Sequence, residues 1–352
     1  MTRIIGEEKI NLQCWELWVG QSTDIGVGYE LGQAEVQRVQ TEATAIIDQI
    51  ERVIVGKREV IERIVIAMLC EGHVLIEDVP GVGKTVLARA LAATLGGSFQ
   101  RIQFTPDLLP TDVTGALVFD PRTAEFSFRP GPIVANVVLA DEINRAGPRT
   151  QAALLEAMEE RQLTIERERR PLPRPFVVLA TQNPLEMDGT FPLPEAQLDR
   201  FFLRTGIGYP DEDDELAMLR RFRVDRPDTS LAAVTDPETL IEMAALVRRV
   251  RIEEAVERYL LALIRGTREY DQIAMGASPR AALALARGAQ AKALLAGRAY
   301  VLPDDVKDMA VPVLAHRIMP GAQFGLRGLS NDRLIEAVIE RTPAPVEPEA
   351  VV

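Results

Sequence analysis

The stretch Val74-Leu75-Ile76-Glu77-Asp78-Val79-Pro80-Gly81-Val82-Gly83-Lys84-Thr85 constrains this chain more than any other. A short apolar run, a turn rich in glycine and proline, and Lys84-Thr85 opening a helical pattern through Val86 to Ala92 make the layout of a phosphate-binding loop. Glycine at 81 and 83 lets the backbone come close enough for its N–H groups to wrap a phosphate, and the unpaired donors of the first helical turn favour negative charge. In such a loop Lys84 reaches the β- and γ-phosphates and the Thr85 hydroxyl ligates Mg²⁺. The pattern G-x-x-x-x-G-K-[ST] is met with one departure, Asp78 in the place of the first glycine.

A chain of 352 residues exceeds one typical domain, which predicts two packed units. Its 47% hydrophobic and 5% aromatic content fits an α/β protein rich in Ala, Leu and Val. The net charge of −12 argues against a surface that coats duplex DNA, which should be basic. No apolar run approaches the ~18 residues of a membrane span, and Met1 to Lys9 lack the apolar core of a signal peptide, so a cytoplasmic protein without membrane insertion is expected. Cys14 and Cys70 lack metal-site spacing and read as reduced and structural. With only His73 and His316, neither histidine-based nucleophilic catalysis nor a zinc cluster is indicated.

Residues 1–40 show no sustained period and read as an N-terminal extension; the helical pattern begins at Thr41. Ile54-Val55-Gly56 interrupts it and reads either as a surface that packs on a nucleotide base or as a helix–helix joint. Beyond the loop and its helix, Phe99 to Phe104 alternates as a strand, and the segment from Thr105 to Pro132 predicts an inserted hairpin around Asp120 to Ala124. Val137-Val138-Leu139-Ala140-Asp141-Glu142 reads as a central parallel strand buried on both faces, with carboxylates at the end where ligands bind in open α/β sheets. There Asp141 would hold the Mg²⁺ shell and Glu142 would polarise the attacking water. A helix over 150–161 leads to a second hairpin with the charged tip Glu166-Arg167-Glu168-Arg169-Arg170. Phe176 to Thr181 is another buried strand, and Asn183 after it either orients the water or caps the turn before Pro184. From Tyr209-Pro210 onward the pattern is helical only, over 213–223, 237–248, 253–270, 279–295, 303–316 and 331–341, and the tail 342–352 is too rich in proline and glutamate to bury apolar surface.

Taken in order, Glu77 to Thr85, Ala140-Asp141-Glu142-Ile143-Asn144-Arg145-Ala146, Thr150 to Glu160, Ala180-Thr181-Gln182-Asn183-Pro184 and Leu193 to Phe201 resemble the signatures of the MoxR family within the AAA+ ATPases. The resemblance spans about residues 42–341 and accommodates Asp78 within the family's own loop. It implies a five-stranded parallel sheet flanked by helices over 41–208, an all-α lid over 209–341, and rings, usually hexamers, with ATP at the subunit interfaces. By carry-over, Val55, Gly56, Asp78, Val79, Pro80, Gly81, Val82, Gly83, Lys84, Thr85, Val86, Asp141 and Arg280 surround ATP, with Thr85 and Asp141 on Mg²⁺. Glu142 is then the general base and Asn183 the first sensor. Arg200, or the nearby Arg204, is the arginine reaching a neighbour's ATP, and Arg280 is the second sensor, acting within its subunit or across the interface. The two hairpins resemble the inserts of the helix-2-insert branch, which line the ring's pore. The implied function is ATP-driven remodelling of a protein client, with a von Willebrand factor A domain protein as a family-typical partner. The competing readings are a nucleic-acid motor and a nucleotide-gated scaffold.

Overall fold

The computed structural model describes residues 31–122, 124–166, 168–183, 189–223, 231–322 and 330–345. Most of the expected N-terminal extension, Cys14, Pro184 and the tail from 346 lie outside the described residues.

Helix α1 (Gln33–Glu51) begins well before the expected Thr41. Val36 and Val39 extend the buried stripe of Ala43, Ile46, Ile47 and Ile50 by two turns, but the polar residues between them dilute the period in the sequence. Next come α2 (Arg58–Leu69), β1 (Val74–Glu77), α3 (Lys84–Thr94), β2 (Phe99–Gln103) and a short α4 (Pro110–Thr114). The first insert is the antiparallel hairpin β3 (Gly115–Asp120) and β4 (Glu125–Pro130), as expected. Strand β5 (Val137–Asp141) and α5 (Pro148–Glu160) precede the second hairpin, β6 (Gln162–Ile165) and β7 (Glu168–Pro171). The charged run is only partly a tip, since Glu168 to Arg170 are ladder residues of β7. Strand β8 (Val177–Gln182), α6 (Glu195–Leu198) and β9 (Leu203–Thr205) complete this part.

Five of these strands form one sheet in the order β2-β5-β8-β1-β9, all parallel. Strand β5 is buried at every residue, as its unbroken apolar run requires for a strand covered on both faces. Alternation with period two divides the core: Val74, Ile76, Val137, Leu139, Val177 and Leu179 face one apolar cluster, and Leu75, Val138, Ala140, Val178 and Ala180 face the other. The parallel register aligns Gln103 with Asp141 and Glu77 with Gln182, so the polar ends of four strands gather at one edge.

The C-terminal helices are α7 (Glu212–Arg221), α8 (Pro237–Val247), α9 (Glu254–Glu269), α10 (Pro279–Leu295), α11 (Pro303–Leu314) and α12 (Asn331–Arg341). This part is not purely helical: β10 (Ile273–Met275) and β11 (Met319–Pro320) pair antiparallel, a ladder too short to leave a sequence period. Leu285, Leu294, Val306 and Met309 of this part join the same apolar cluster as Ile61 and Ile64 of α2. Cys70, half-buried just past α2, donates its thiol to Arg287 O at 3.4 Å, and burial pushes its pKa well above the ordinary range, as a structural cysteine requires. No helix among the described residues is long and apolar enough to cross a membrane.

Candidate functional site

The loop between β1 and α3 turns on Gly81 (φ 88°) and Gly83 (φ 92°), left-handed conformations that glycine adopts without steric cost. Gly83 is the N-cap of α3, where no side chain caps the helix and no acidic residue occupies the first turn. Helices α7, α8 and α10, by contrast, are capped by Asp211, Asp236 and Ser278. The first-turn amides of α3 are therefore left for an external anion. Lys84 Nζ donates to the Asp78 carbonyl at 2.8 Å, a bond within the loop that a phosphate oxygen can replace. Val82 and Val86 are partly buried and pack on the apolar cluster.

Asp78 does something the sequence did not disclose. Its Oδ2 accepts from the amides of Ile207 at 2.7 Å and Gly208 at 2.6 Å, and its Oδ1 accepts from its neighbour Val79 at 2.8 Å. The carboxylate thus ties the loop's entry, ahead of Pro80, to the linker that follows β9. The Ile54-Val55-Gly56 turn is the helix–helix joint of its two readings. It joins α1 to α2, Ile54 Cδ1 comes within 3.9 Å of where a Cβ on Gly83 would stand, and Gly56 (φ 70°) lies against the Asp214 carboxylate.

At the same edge, Asp141 is held from two sides. Thr181 Oγ1 donates to its Oδ1 at 2.6 Å, and Arg101 donates to its Oδ2 from Nη2 at 2.6 Å and Nε at 3.1 Å. Glu142 adopts a left-handed backbone (φ 58°, ψ 49°), costly for a non-glycine residue, and its amide donates to the same Thr181 hydroxyl at 2.8 Å. Its Oε2 accepts from Gln103 Nε2 at 2.8 Å and lies 3.1 Å from Arg145 Nε. Asn183, nearly buried, follows Gln182 at the end of β8. Among the described residues no group of three or more His, Cys, Asp or Glu could hold a metal. One carboxylate and one hydroxyl, Asp141 and Thr85, match the hard oxygen donors through which Mg²⁺ is held together with water and substrate phosphates.

Of the expected arginines, Arg200 and Arg280 lie at the opposite edge of the sheet. His73, just before β1, accepts at Nδ1 from the Val178 amide (3.0 Å) and bonds the Met158 carbonyl through Nε2 (3.0 Å), while its own carbonyl accepts from Phe202 N at 2.8 Å. Burial, with Arg161 nearby, holds its pKa down at about 3, so the ring is neutral. These bonds anchor the end of α5 and the Arg200-Phe201-Phe202 segment at the start of β1, whereas the phosphate loop leaves from its end. The rise of four strand residues, about 13 Å, separates the two edges.

There Glu159 meets both arginines: its Oε2 lies 3.1 Å from Arg200 Nε, and its Oε1 accepts from Arg280 Nη1 at 3.0 Å. Asp199 locks this arrangement. It pairs with the buried Arg317, Nε to Oδ1 at 2.9 Å, and accepts from Ser278 Oγ at 3.3 Å, joining the turn before Arg200 to the helix start before Arg280. Arg317 also donates to the Phe201 and Phe202 carbonyls; burial lowers its pKa to about 10, with the Asp199 charge opposing, so it stays charged at neutral pH. Arg204 is engaged differently, with Glu77 at 2.8 Å and with Asp332 of α12, tying the sheet edge to the last helix.

Sequence reasoning named the loop, Asp141, Glu142, Arg200 and Arg280 but missed Arg101, Gln103 and Thr181 around the two acidic residues and Glu159, Asp199, Ser278 and Arg317 around the two arginines. Strand register alone could have indicated Gln103, opposite Asp141.

Comparison with known proteins agrees with this fold. The family model described as "ATPase family associated with various cellular activities (AAA)" matches residues 73–203, and that of the AAA lid domain matches residues 265–338. The chain is 45% identical over 305 residues to the uncharacterized protein YeaC of Bacillus subtilis, covering 87% of this chain and 95% of the relative. It is 39% identical to the chaperone MoxR1 of Mycobacterium tuberculosis, covering 84% of this chain and 81% of that one, and 33% identical to the protein MoxR of Methylorubrum extorquens, covering 84% and 93%. A crystal structure from Cytophaga hutchinsonii superposes with a TM-score of 0.83 at 37% identity, over 89% of this chain and 98% of that one. A phosphate loop on a five-stranded parallel sheet, a helical lid and relatives matched over nearly their whole length lead to one conclusion: this chain belongs to the MoxR family of AAA+ ATPases.

Proposed function

We propose that the chain hydrolyses ATP at the interfaces of a ring of identical subunits, a hexamer by family precedent, and uses the cycle to remodel or activate a protein client. The carrying observation is the placement of Arg200 and Arg280 at the sheet edge opposite their own phosphate loop, tied there through Glu159 and His73. Both gather at the edge from which their own phosphate loop does not leave, and each is about one-third exposed, which supports reading them as completing a neighbour's site. Arg204, satisfied by Glu77 and Asp332 within its own chain, is the weaker candidate for this role.

In this reading residues 41–208, together with the start of α1, bind nucleotide and 209–341 form the lid. Residues Asp78 to Val86 enclose the phosphates and the Val55-Gly56 turn borders the base. Thr85 and Asp141 supply oxygens to Mg²⁺, which when bound neutralises charge on the β- and γ-phosphates. Glu142 takes the proton of the attacking water, Asn183 orients that water, and Lys84 exchanges its bond to Asp78 O for a phosphate oxygen. Gln103 and Arg145 hold the Glu142 carboxylate in one orientation until the site is complete. The arginines supplied from outside stabilise the charge that develops in transfer, a contribution of about 10³ to 10⁵ in rate.

The client-facing elements are the two hairpins. Phe119 and Phe126 form an exposed cross-strand pair, ring centroids 5.2 Å apart, and Arg170 of the second hairpin stacks on Phe128 of the first at 4.6 Å. An exposed aromatic tip suits an apolar protein segment better than a phosphate backbone. The chaperone role follows the name of the Mycobacterium tuberculosis relative. A von Willebrand factor A domain adaptor, a role in maturing metal-dependent enzymes and a cytoplasmic location are inherited from the family.

Mixing two inactive chains, Glu142→Gln and Arg200→Ala, tests the shared site. A randomly assembled equimolar ring joins an intact Glu142 to a neighbour's intact Arg200 at about a quarter of its interfaces, so turnover should recover to about that fraction of wild type. Absence of recovery would sink the trans mechanism, and strong stimulation of wild-type turnover by duplex DNA would favour a nucleic-acid motor.

A further inference from the structure

Glu159 stands in the last turn of α5 and gives each carboxylate oxygen to a different arginine, Arg200 through Oε2 and Arg280 through Oε1. Helix stability does not explain it there. A carboxylate at a helix C-terminus opposes the macrodipole, and α5 carries Glu159 and Glu160 in its last turn with no basic residue to offset them. Nor is the trio neutral: one negative charge faces two guanidinium groups, each about one-third exposed, so the cluster keeps a net positive charge that an incoming anion can reach. Beneath it, the Asp199–Arg317–Ser278 lock fixes both arginine-bearing backbones, leaving the long side chains as the free variables.

We propose that Glu159 is a positioning residue: in the unassembled subunit it holds Arg200 and Arg280 side by side with part of their charge offset, and it yields both to the phosphates of the ATP carried by a neighbouring copy. The inference rests on the shared-site reading above and adds a cost to assembly. Two arginine–carboxylate contacts must be exchanged for arginine–phosphate contacts at each interface. Because a single carboxylate holds both side chains at one point, an anion that displaces it receives the catalytic-domain arginine and the lid arginine side by side. No bond is made or broken in this exchange.

The test uses the full-length chain with Glu159→Gln, which keeps the shape and removes the charge. Sedimentation velocity in Mg·ATP across protein concentration gives the midpoint for ring formation. Removing the competing carboxylate should lower that midpoint about threefold or more, since exposed ion pairs of this kind contribute modestly but two are released at once. The shift should shrink when Arg200→Ala is added, because the carboxylate then has one fewer partner to surrender. A merely structural Glu159 would move the midpoint upward and lower the melting temperature. An unmoved or raised midpoint in Glu159→Gln, while the Glu142→Gln and Arg200→Ala mixture still recovers turnover, would overturn the proposal and leave the shared site standing. Failure of the mixture would remove both. If Glu159→Gln does not fold, Glu159→Asp, too short to span both arginines, is expected to shift the midpoint in the same direction, and no shift there overturns the proposal equally.

Discussion

Replacing Asp78 by glycine writes the consensus phosphate loop into this chain, and the structure predicts that the consensus residue is worse here. The Asp78 carboxylate, nearly buried, accepts three backbone N–H groups, two of them from the linker between β9 and α7. Hydrogen bonds to a charged acceptor contribute ~1.5–3 kcal/mol each. The buried Ile207 amide has no ready water to turn to, so its loss falls at the upper end, while the exposed Gly208 and the local Val79 amides lose less. Glycine adds ~0.5–1 kcal/mol of backbone entropy to the cost. Together these give a destabilisation of at least about 4 kcal/mol, or roughly 8 °C or more at about 2 °C per kcal/mol for a chain of this size. Thermal unfolding of wild type, Asp78→Gly and Asp78→Asn, each with and without Mg·ATP, is the assay. The asparagine variant should fall between the other two, since its amide oxygen retains one acceptor. The nucleotide-induced rise in melting temperature should also shrink in Asp78→Gly, because the loop is no longer fastened to the lid linker. Melting within about 2 °C of wild type, with an undiminished nucleotide response, would refute the reasoning.

Two further expectations concern buried hydrogen bonds. Thr181→Val removes a fully buried hydroxyl that donates to Asp141 and accepts from the Glu142 amide; turnover should fall about tenfold to a hundredfold with little change in ATP affinity, and unchanged turnover would count against the role given to that hydroxyl. His73 is held neutral, its pKa depressed to about 3 against the ordinary 6.5, so between those values the unfolded chain binds a proton that the folded chain refuses. Stability from this group is complete above about pH 6.5 and declines as pH falls toward 3, by up to ~1.4 kcal/mol per unit, with the buried His316 acting in the same direction. Urea midpoints measured across that range should drop more steeply for wild type than for His73→Gln, and parallel slopes would refute the assignment.

Much of the fold was legible because it rests on local rules. The Val137 to Ala140 run had to be a doubly covered strand, the spacing of apolar residues marked the lid helices to within a few residues, and the first hairpin was visible in its alternation and turn residues, the second in its charged run. Where local signal was thin, the reading slipped: the first two turns of α1 hid behind polar residues, and the β10–β11 ladder was too short to show a period.

The sequence by itself determined the phosphate loop, since a chain that puts glycine, lysine and threonine between a strand and a helix has few other uses for them, and it determined that Asp141 and Glu142 stand at the ligand edge of a parallel sheet. Only the tertiary structure decided that Asp78 fastens the loop to the lid linker, that Thr181 and Gln103 from neighbouring strands hold the two acidic residues, and that Glu159 joins Arg200 to Arg280 at the edge away from their own loop. The physical reason is range. Glycine dihedrals and hydrophobic periodicity act over a few residues and are written in order along the chain, whereas these contacts depend on strand register and on the docking of the lid against the sheet, which bring together side chains that no local pattern relates.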